Sequence, residues 1–328
     1  PQAIAQAPVY TEKQRNIVQK YRAASARLTD EFIPGTETSF TIISYPLPAI
    51  GKDYEAIFDE TIRVNTLDES QYLQIQTALI DALDAGEYVS VNGRGANHTN
   101  IRIALQPMTD PLHQTKFENC LADVNIPLGE VFTSPQLVGT QGVLHSPQIY
   151  LNDLKYMDLE LHFQNGVVTK YDCKNFAEES QNQAYIRENL LCQHETLPMG
   201  EFAIGTNTTA YAMGKKFDIS SLLPILIAEK TGPHFAIGDT CFSYEEELVT
   251  YNPDGKQMIA KENEYSRLRD TQPEKAYFQC HTDITIPYDE LGDLWVEHAD
   301  GSRVAIIREG RFVLPGTEAL NPPLDTCN

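Results

Sequence analysis

The segment FQCHTDITIP at 278–287 places an imidazole beside a carboxylate in an otherwise apolar run. If the segment is extended, successive side chains alternate between two faces, so His281 and Asp283 lie on the same face. Both side chains can then reach one metal ion. The alternative is a hydrogen-bonded pair on a solvated strand face, and the spacing alone favours that alternative because such two-residue motifs arise by chance.

Two other stretches share a pattern of proline, an apolar residue, glycine and glutamate. They are IPLGEVF at 126–132 and LPMGEFA at 197–203. In each, a glycine permits a tight turn of the backbone just before the carboxylate of Glu130 or Glu201. Either glutamate alone is more simply interpreted as an exposed turn residue. The repetition of the pattern favours a shared role for both.

A third stretch, AEKTGPHFAIG, carries Glu229 and His234. Gly232 and Pro233 are expected to end a helix there and to begin a new element at the histidine. A core histidine and an ordinary glutamate at a helix end are equally good interpretations of this stretch taken alone.

Carboxylates and imidazoles together predict metal chemistry, because a bound divalent ion generates hydroxide at neutral pH and polarises a carbonyl. Two neighbouring ions need bridging carboxylates. A mixed oxygen and nitrogen set of six residues suits two divalent ions of the zinc, cobalt or manganese kind. The six candidates are Glu130, Glu201, Glu229, His234, His281 and Asp283.

Other chemistries have weaker support. The sequence contains no GxSxG nucleophile elbow, no Walker glycine loop and no GxGxxG between a strand and a helix. The glycines of NGRGANHT lie between two predicted strands, which disfavours a dinucleotide site. Cys280 is adjacent to His281, but alternation places the two side chains on opposite faces, so a thiol nucleophile is disfavoured.

Composition limits the class of partner. Among 328 residues, 46 Asp and Glu against 25 Lys and Arg give a formal charge of −21, which disfavours nucleic acid and anionic membranes. With no membrane span or signal peptide in the sequence, a cytoplasmic protein is expected. Six scattered cysteines predict reduced thiols rather than a cysteine-ligated zinc. The start at Pro1 indicates a processed form or part of a longer protein.

Periodicity and length predict a mixed α+β fold of two domains. The N-terminal domain is expected over 1–110. A C-terminal metal-binding domain with a mixed or antiparallel sheet and helices is expected over 111–328, with an insertion or lid at about 239–277. Helices are predicted at 11–28, 68–85, 177–191 and 219–230. Strands are predicted at 88–93 and 100–106, and hairpins at 158–173 and 304–316.

The ordered motifs IPLGEVFTSP, PMGEFAIGTN, AEKTGPHFAIG and CHTDITIP resemble the thermophilic metalloaminopeptidase family of aminopeptidases T, S and II. The similarity covers about residues 65 to 320. It implies a two-domain, usually dimeric exopeptidase with two divalent ions in the C-terminal domain. In that case Glu130, Glu201 and His234 are ligands, with Glu201 bridging, and His281 and Asp283 complete the two sites. Glu229 is either a ligand or the carboxylate that handles the proton of water.

Two departures from the family pattern concern the site. The family places a tyrosine seven residues after the first histidine, where this chain has Cys241; Tyr244, three residues further on, is the candidate substitute. The two histidines are also further apart than in the family because the segment 239–277 lies between them. That segment is expected to shape access of the substrate to the site.

The sequence therefore predicts a metal-dependent aminopeptidase that removes N-terminal residues from peptides through water activated by two metals. Glu229 and Tyr244 are the predicted catalytic residues, and the protein is expected to be a homodimer. The alternatives are a non-catalytic peptide-binding or scaffold protein on the same fold, suggested by Cys241 and the insertion, and another metal-dependent hydrolase.

Overall fold

Antiparallel strands dominate the fold, and helices pack around them. A computed structural model describes residues 11–35, 37–39, 41–123 and 125–327. The helices within those residues are α1 Glu12–Phe32, α2 Tyr54–Asn65, α3 Glu69–Asp84, α4 Glu179–Asn189, α5 Thr208–Lys216, α6 Ile225–Ala228, α7 Pro273–Ala276 and α8 Asn321–Asp325. Short 3-10 turns span Pro48–Ile50, Ser220–Leu222, Glu229–Thr231, Ser266–Leu268 and Glu318–Leu320.

The strands form two large sheets and two short pairs. Their bounds are β1 Ile42–Ile43, β2 Tyr88–Gly93, β3 Asn100–Ala104, β4 Gln114–Thr115, β5 Glu118–Cys120, β6 Asn125–Ile126, β7 Glu130–Thr133, β8 Gln136–Leu151, β9 Leu154–Gln164, β10 Val167–Asp172, β11 Met199–Gly205, β12 Pro233–Gly238, β13 Gln257–Met258, β14 His281–Thr285, β15 Leu291–Glu297, β16 Arg303–Arg308 and β17 Arg311–Phe312. This mixture of helices and sheets confirms the predicted α+β class.

The larger sheet has eight antiparallel strands in the order β10-β9-β8-β3-β2-β15-β16-β17. It pairs β2 and β3, which precede residue 110, with strands from later in the chain. The division into domains at 1–110 and 111–328 stays a prediction. The two short pairs, β1 with β6 and β13 with β4, are parallel.

The second sheet has five antiparallel strands in the order β14-β12-β11-β7-β5. One of its faces is apolar and packs into the main core, and α3 lies against β5 and β7. The core residues on this face are Val131, Phe202, Ile204, Phe235, Ile237 and Ile284. Because side chains alternate along a strand, the opposite face can hold polar groups, and this sheet is therefore the support for the candidate site.

Local sequence signals placed several of these elements correctly. Asp68 caps the helix predicted at 68–85 by accepting a hydrogen bond from the Gln71 amide, and Asn165 and Gly166 form the turn of the hairpin predicted at 158–173. The continuous helix predicted at 219–230 is wrong. Pro224 divides that stretch into a 3-10 turn, the four-residue α6 and a second 3-10 turn, because proline lacks the amide that a helix interior requires.

The segment 239–277, predicted as an insertion or lid, contributes buried residues. Met258 and Ala260 pack in a small apolar cluster with Phe132 and Phe242, and the two phenylalanine rings stack at 5.7 Å. The structure therefore attaches this segment to the polar side of the five-stranded sheet. Among the described helices, none is both long enough and apolar enough to cross a membrane.

Candidate metal centre

Strand register brings five of the predicted ligands onto one face of the five-stranded sheet. Glu201 and Asp283 lie on either side of Ala236, because both residues pair with it across β12. His281 pairs with Gly238 on the same face. The alternation predicted for FQCHTDITIP holds from His281 to Thr285, where Thr282 and Ile284 lie on the opposite face of β14, but not before it, since the strand begins at His281 and Gln279 has a φ of +62°.

Small residues separate the acidic and imidazole side chains on this face. Ala236 lies between Glu201 and Asp283, Gly205 pairs with Glu130, and Ala203 pairs with His234. A Cβ on Gly205 would lie 2.5–2.7 Å from backbone atoms of Lys230, Glu229 and Gly232. The small residues therefore let the turn Glu229–Thr231 pack closely against the polar face.

Glu201 is shared between two groups of donors. Its Oε1 lies 3.4 Å from His234 Nε2, which is 3.6 Å from Glu130 Oε2. Its Oε2 lies 3.2 Å from His281 Nε2 and accepts a hydrogen bond from Cys241 Sγ at 2.8 Å. Each group supplies three ligand atoms within 4.8 Å of one another. Glu201 thus contributes an oxygen to each of the two groups.

Asp283 extends the second group. Its Oδ1 lies 3.3 Å from His281 Nε2, but the geometry is not that of a hydrogen bond, and this buried oxygen has no hydrogen-bond partner among the described residues. Buried polar atoms are normally satisfied, so an orphaned carboxylate oxygen needs a reason. A cation bound beside it supplies one.

His281 is oriented by the backbone. Its Nδ1 lies 2.7 Å from the carbonyl oxygen of Asp239. A carbonyl can only accept, so Nδ1 carries the hydrogen and Nε2 faces the carboxylates of Glu201 and Asp283. This support of a histidine through its second nitrogen is the usual arrangement for a metal-binding imidazole.

Lys230 is an unexpected cation beneath the site. It is 0% exposed, and its Nζ donates to Glu130 Oε1 at 2.9 Å and to Glu229 Oε1 at 2.7 Å. These two carboxylates raise its pKa against the effect of burial. The lysine therefore connects Glu229, in the turn Glu229–Thr231, to the first donor group.

The pKa values follow from the crowding of these charges. Burial acts to raise the pKa of Glu201, but His234 and His281 bring it well below its ordinary value. Burial acts to lower the pKa of His234, but Glu201 and other carboxylates raise it to about 10. In the absence of a metal, the protonated imidazoles thus act as the counter-ions of the carboxylates.

The residues fit a divalent metal. Lys230 pairs with Glu130 and Glu229, whereas among the described residues the carboxylates of Glu201 and Asp283 pair only with imidazoles. Buried carboxylates in such excess are strongly unfavourable unless cations compensate them. Oxygen and nitrogen donors of this kind bind zinc, cobalt and manganese. Metal binding would displace the protons held by the histidines.

The two predicted catalytic residues, Glu229 and Tyr244, lie in different parts of the structure. Burial raises the pKa of Glu229 to about 7, and the charges of Lys230, Asp283 and His234 act on it, so it lies beside the donor groups. Tyr244 stacks on Tyr277 with ring centroids 4.1 Å apart, and its hydroxyl accepts a hydrogen bond from Gln279 Nε2. These contacts place Tyr244 against the segment that leads into β14.

Sequence reasoning missed the roles of Lys230, Cys241 and Asp239. Lys230 stands next to Glu229, but it lies in a 3-10 turn, where no alternation rule indicates its direction. Cys241 was noted only as a departure from a tyrosine, although its thiol donates a hydrogen bond to Glu201. The glycine before Asp239 was the available signal for a sharp turn at the end of β12, because Gly238 has a φ of +114°.

Gly200 is required for a reason other than the predicted turn. A Cβ on Gly200 would lie 2.1 Å from the carbonyl oxygen of Asp239. The Gly129 before Glu130 does adopt a positive φ, of +124°. The glycine before Glu201 therefore permits close packing of two backbones, and the glycine before Glu130 permits a turn.

Substituting Gly200 by alanine is expected to weaken both folding and metal binding. The added methyl group must displace the Asp239 backbone, which also orients His281, so we expect about 1–3 kcal/mol of lost stability and weaker cobalt binding. Urea denaturation and cobalt titration measure the two effects. Gly95→Ala is the control for cobalt binding: its φ of +62° strains an alanine and costs some stability, but nothing lies within 4 Å of the added Cβ, so cobalt binding should not change. Unchanged cobalt binding by Gly200→Ala would contradict the proposed packing role.

Fold and site together define a mixed α+β protein with a candidate centre for divalent metal. The chain matches the profile of the thermophilic metalloprotease (M29) family over residues 9–312, and it belongs to that family. This confirms the resemblance read from the motifs, and membership implies a divalent metal. Among curated proteins, no sequence matches the chain.

A solved structure, wild-type AmpT from Thermus thermophilus, is similar to this chain at 17% sequence identity with a TM-score of 0.49. The similarity covers 80% of this chain and 59% of that one. The chain thus spans less than two thirds of the length of this solved relative.

Proposed function

We propose that this protein is a metal-dependent aminopeptidase with two divalent ions, of the zinc, cobalt or manganese kind. The observation that carries the proposal is Glu201, whose two oxygens face separate groups of donors. One group is Glu130, Glu201 and His234, and the other contains Glu201 and His281, with Asp283 adjacent. Membership of a metalloprotease family supports the assignment to peptide hydrolysis.

When bound, divalent ions acidify water and polarise a carbonyl. The protein's own residues then have distinct roles. Glu229, with its pKa raised to about 7, is suited to take a proton from water and to pass it to the leaving amine. Lys230 holds the Glu229 carboxylate in place through a hydrogen bond of 2.7 Å.

The excess of carboxylates also accounts for the proposed preference for a free N-terminus. A substrate ammonium carries the charge that these side chains attract. A blocked N-terminus lacks that charge. The proposed substrates are therefore peptides with a free amino terminus, and the homodimer and the cytoplasmic location predicted from the sequence stay predictions.

Chelation is expected to remove hydrolysis of a leucyl peptide, and added zinc, cobalt or manganese is expected to restore it. We expect the rate to fall at least about 100-fold, because water without a metal is a far weaker acid. Amino acid release is measured before chelation, after it and after each metal is added back. The same peptide with an acetylated N-terminus is the substrate control.

Each result separates the candidate functions. Activity that is indifferent to chelation would refute the metal mechanism. Hydrolysis of the acetylated peptide at an equal rate would refute exopeptidase action. Two ions per chain without hydrolysis of any peptide in a panel would favour the non-catalytic binding protein, for which the replacement of a family tyrosine by Cys241 is the motivating observation.

A further inference from the structure

We propose that Cys241 is a metal ligand, so that the ion nearer β14 is held by Glu201, Cys241, His281 and Asp283. The inference rests on the proposed function for its two-metal framework, and it assigns the thiol a role of its own. It further implies that this site prefers zinc or cobalt to manganese or magnesium.

Backbone hydrogen bonds fix the loop that presents the thiol. Its first residue, Asp239, donates its amide to the Cys280 carbonyl at 2.7 Å. The Asp239 carboxylate accepts from the amides of Phe278 and Gln279 at 2.6 and 2.7 Å. The turn after β12 is therefore fastened to the residues before β14. As a result, Cys241 and His281 are presented from two adjoining backbones that cannot easily separate.

The thiol points at the shared carboxylate. Cys241 Sγ lies 2.8 Å from Glu201 Oε2, and Cys241, Glu201 and His281 form a group whose ligand atoms all lie within 4.8 Å. A thiol that serves only to pack has no reason to donate to a carboxylate that bridges two donor groups. The thiol proton lies between Cys241 Sγ and Glu201 Oε2, and a bound cation would contact the same two atoms from that position.

Two of the donor separations, both made by His281, are close to those of a small tetrahedral site, whereas the 2.8 Å between Cys241 Sγ and Glu201 Oε2 is that of a shared hydrogen and would widen when a metal binds. His281 Nε2 lies 3.2 Å from Glu201 Oε2 and 3.3 Å from Asp283 Oδ1. Donors around a tetrahedral ion with bonds of about 2.0–2.3 Å are separated by roughly 3.3–3.8 Å. The Asp283 residue is only 9% exposed, and its Oδ1 has no hydrogen-bond partner in the part of the chain described. This unpartnered oxygen is the independent evidence for a cation here.

Thiolate coordination gives the two sites different chemistry. A metal-bound thiol gives up its proton, which passes to solvent as the sulfur–metal bond forms. Soft thiolate ligands select zinc over the harder manganese and magnesium ions, which prefer carboxylate and water. The group of Glu130, Glu201 and His234 has only oxygen and nitrogen donors. The chain thus combines one soft and one hard site, with Glu201 between them.

Cobalt substitution tests the assignment without reference to activity. Cobalt bound by a thiolate has a sulfur-to-cobalt charge-transfer band in the near ultraviolet. We expect the band in the wild-type protein and expect Cys241→Ser to lack it. Cys280→Ser is the matched control, because Cys280 packs against the main hydrophobic core and should keep the band. A band that survives Cys241→Ser, or is lost in Cys280→Ser, would overturn the proposal.

Competition between metals provides the second measurement. Cys241→Ser is expected to weaken zinc binding at one site by about 100-fold while leaving manganese binding nearly unchanged. An equal loss for both ions would refute the soft site. Wild-type protein that binds cobalt with the band but hydrolyses no peptide would defeat only the proposed function. Cobalt-dependent hydrolysis without the band would defeat only the ligand assignment.

Discussion

Glu201→Gln is expected to abolish peptide hydrolysis and to reduce bound metal from two ions per chain to one or none. The carboxylate faces His234 through Oε1 and His281 through Oε2, so its loss affects both donor groups. An amide offers one weak acceptor oxygen and no charge. We expect a loss of at least about 1,000-fold in kcat/KM, because activation of water depends on the bound ions.

Glutamine has nearly the same shape as glutamate, so a loss of metal binding can be distinguished from a loss of folding. Glu201 is 4% exposed and surrounded by imidazoles, and neutral glutamine removes one buried charge. Circular dichroism and urea denaturation establish that the variant is folded, and metal analysis gives the stoichiometry. Glu195→Gln, at an exposed glutamate, is the control and should retain both ions. Two ions bound by folded Glu201→Gln would refute the bridging role.

Lys230→Met is expected to lower the free energy of unfolding by about 3–5 kcal/mol when metal is absent. Removal of one partner from a buried ion pair leaves uncompensated charge in the interior, which is strongly destabilising. Here the ammonium contacts both Glu130 and Glu229. Urea denaturation in the presence of a chelator measures the loss, and Lys170→Met, at an exposed lysine, is expected to change stability by less than about 0.5 kcal/mol.

Two further measurements test whether uncompensated charge causes the loss of stability in Lys230→Met. Addition of Glu130→Gln to Lys230→Met should recover part of the lost stability, because it removes one of the unpaired carboxylates. Saturating metal should also reduce the difference from wild type, since a bound cation compensates the carboxylates that have lost the lysine and therefore stabilises the variant more. A Lys230→Met protein as stable as wild type in chelator would show that these carboxylates are compensated by other groups.

The sequence predicted correctly those features that depend only on residues close together in the chain. Alternation along an extended strand placed His281 and Asp283 on one face before any partner strand was known, and β14 has that face. The cap at Asp68 and the turn at Asn165–Gly166 follow from single residues whose backbone preferences are strong. These features need no information from distant parts of the chain.

The site itself depends on contacts between distant residues. Glu130, Glu201 and His281 come together because β7, β11, β12 and β14 are neighbours in one sheet, and strand order is not encoded in the pattern of any one strand. The resemblance supplied the set of ligands, whereas the buried position of Lys230 arises from the turn that follows α6. Gly200 shows the same limit, since its role comes from Asp239, a residue on another loop.

Asp239 also closes the long segment at its base. The segment leaves the sheet at Asp239 and returns at Phe278 and Gln279, where the same side chain holds both amides. Because Asp239 holds both ends of the segment together, the number of residues between them does not set the geometry at its base. Each doubling of loop length adds only about 0.6 kcal/mol of closure entropy. The exposed residues 253–255 of this segment are therefore the natural place for insertions and engineered exchange, while the imidazole of His281 stays fixed at its base.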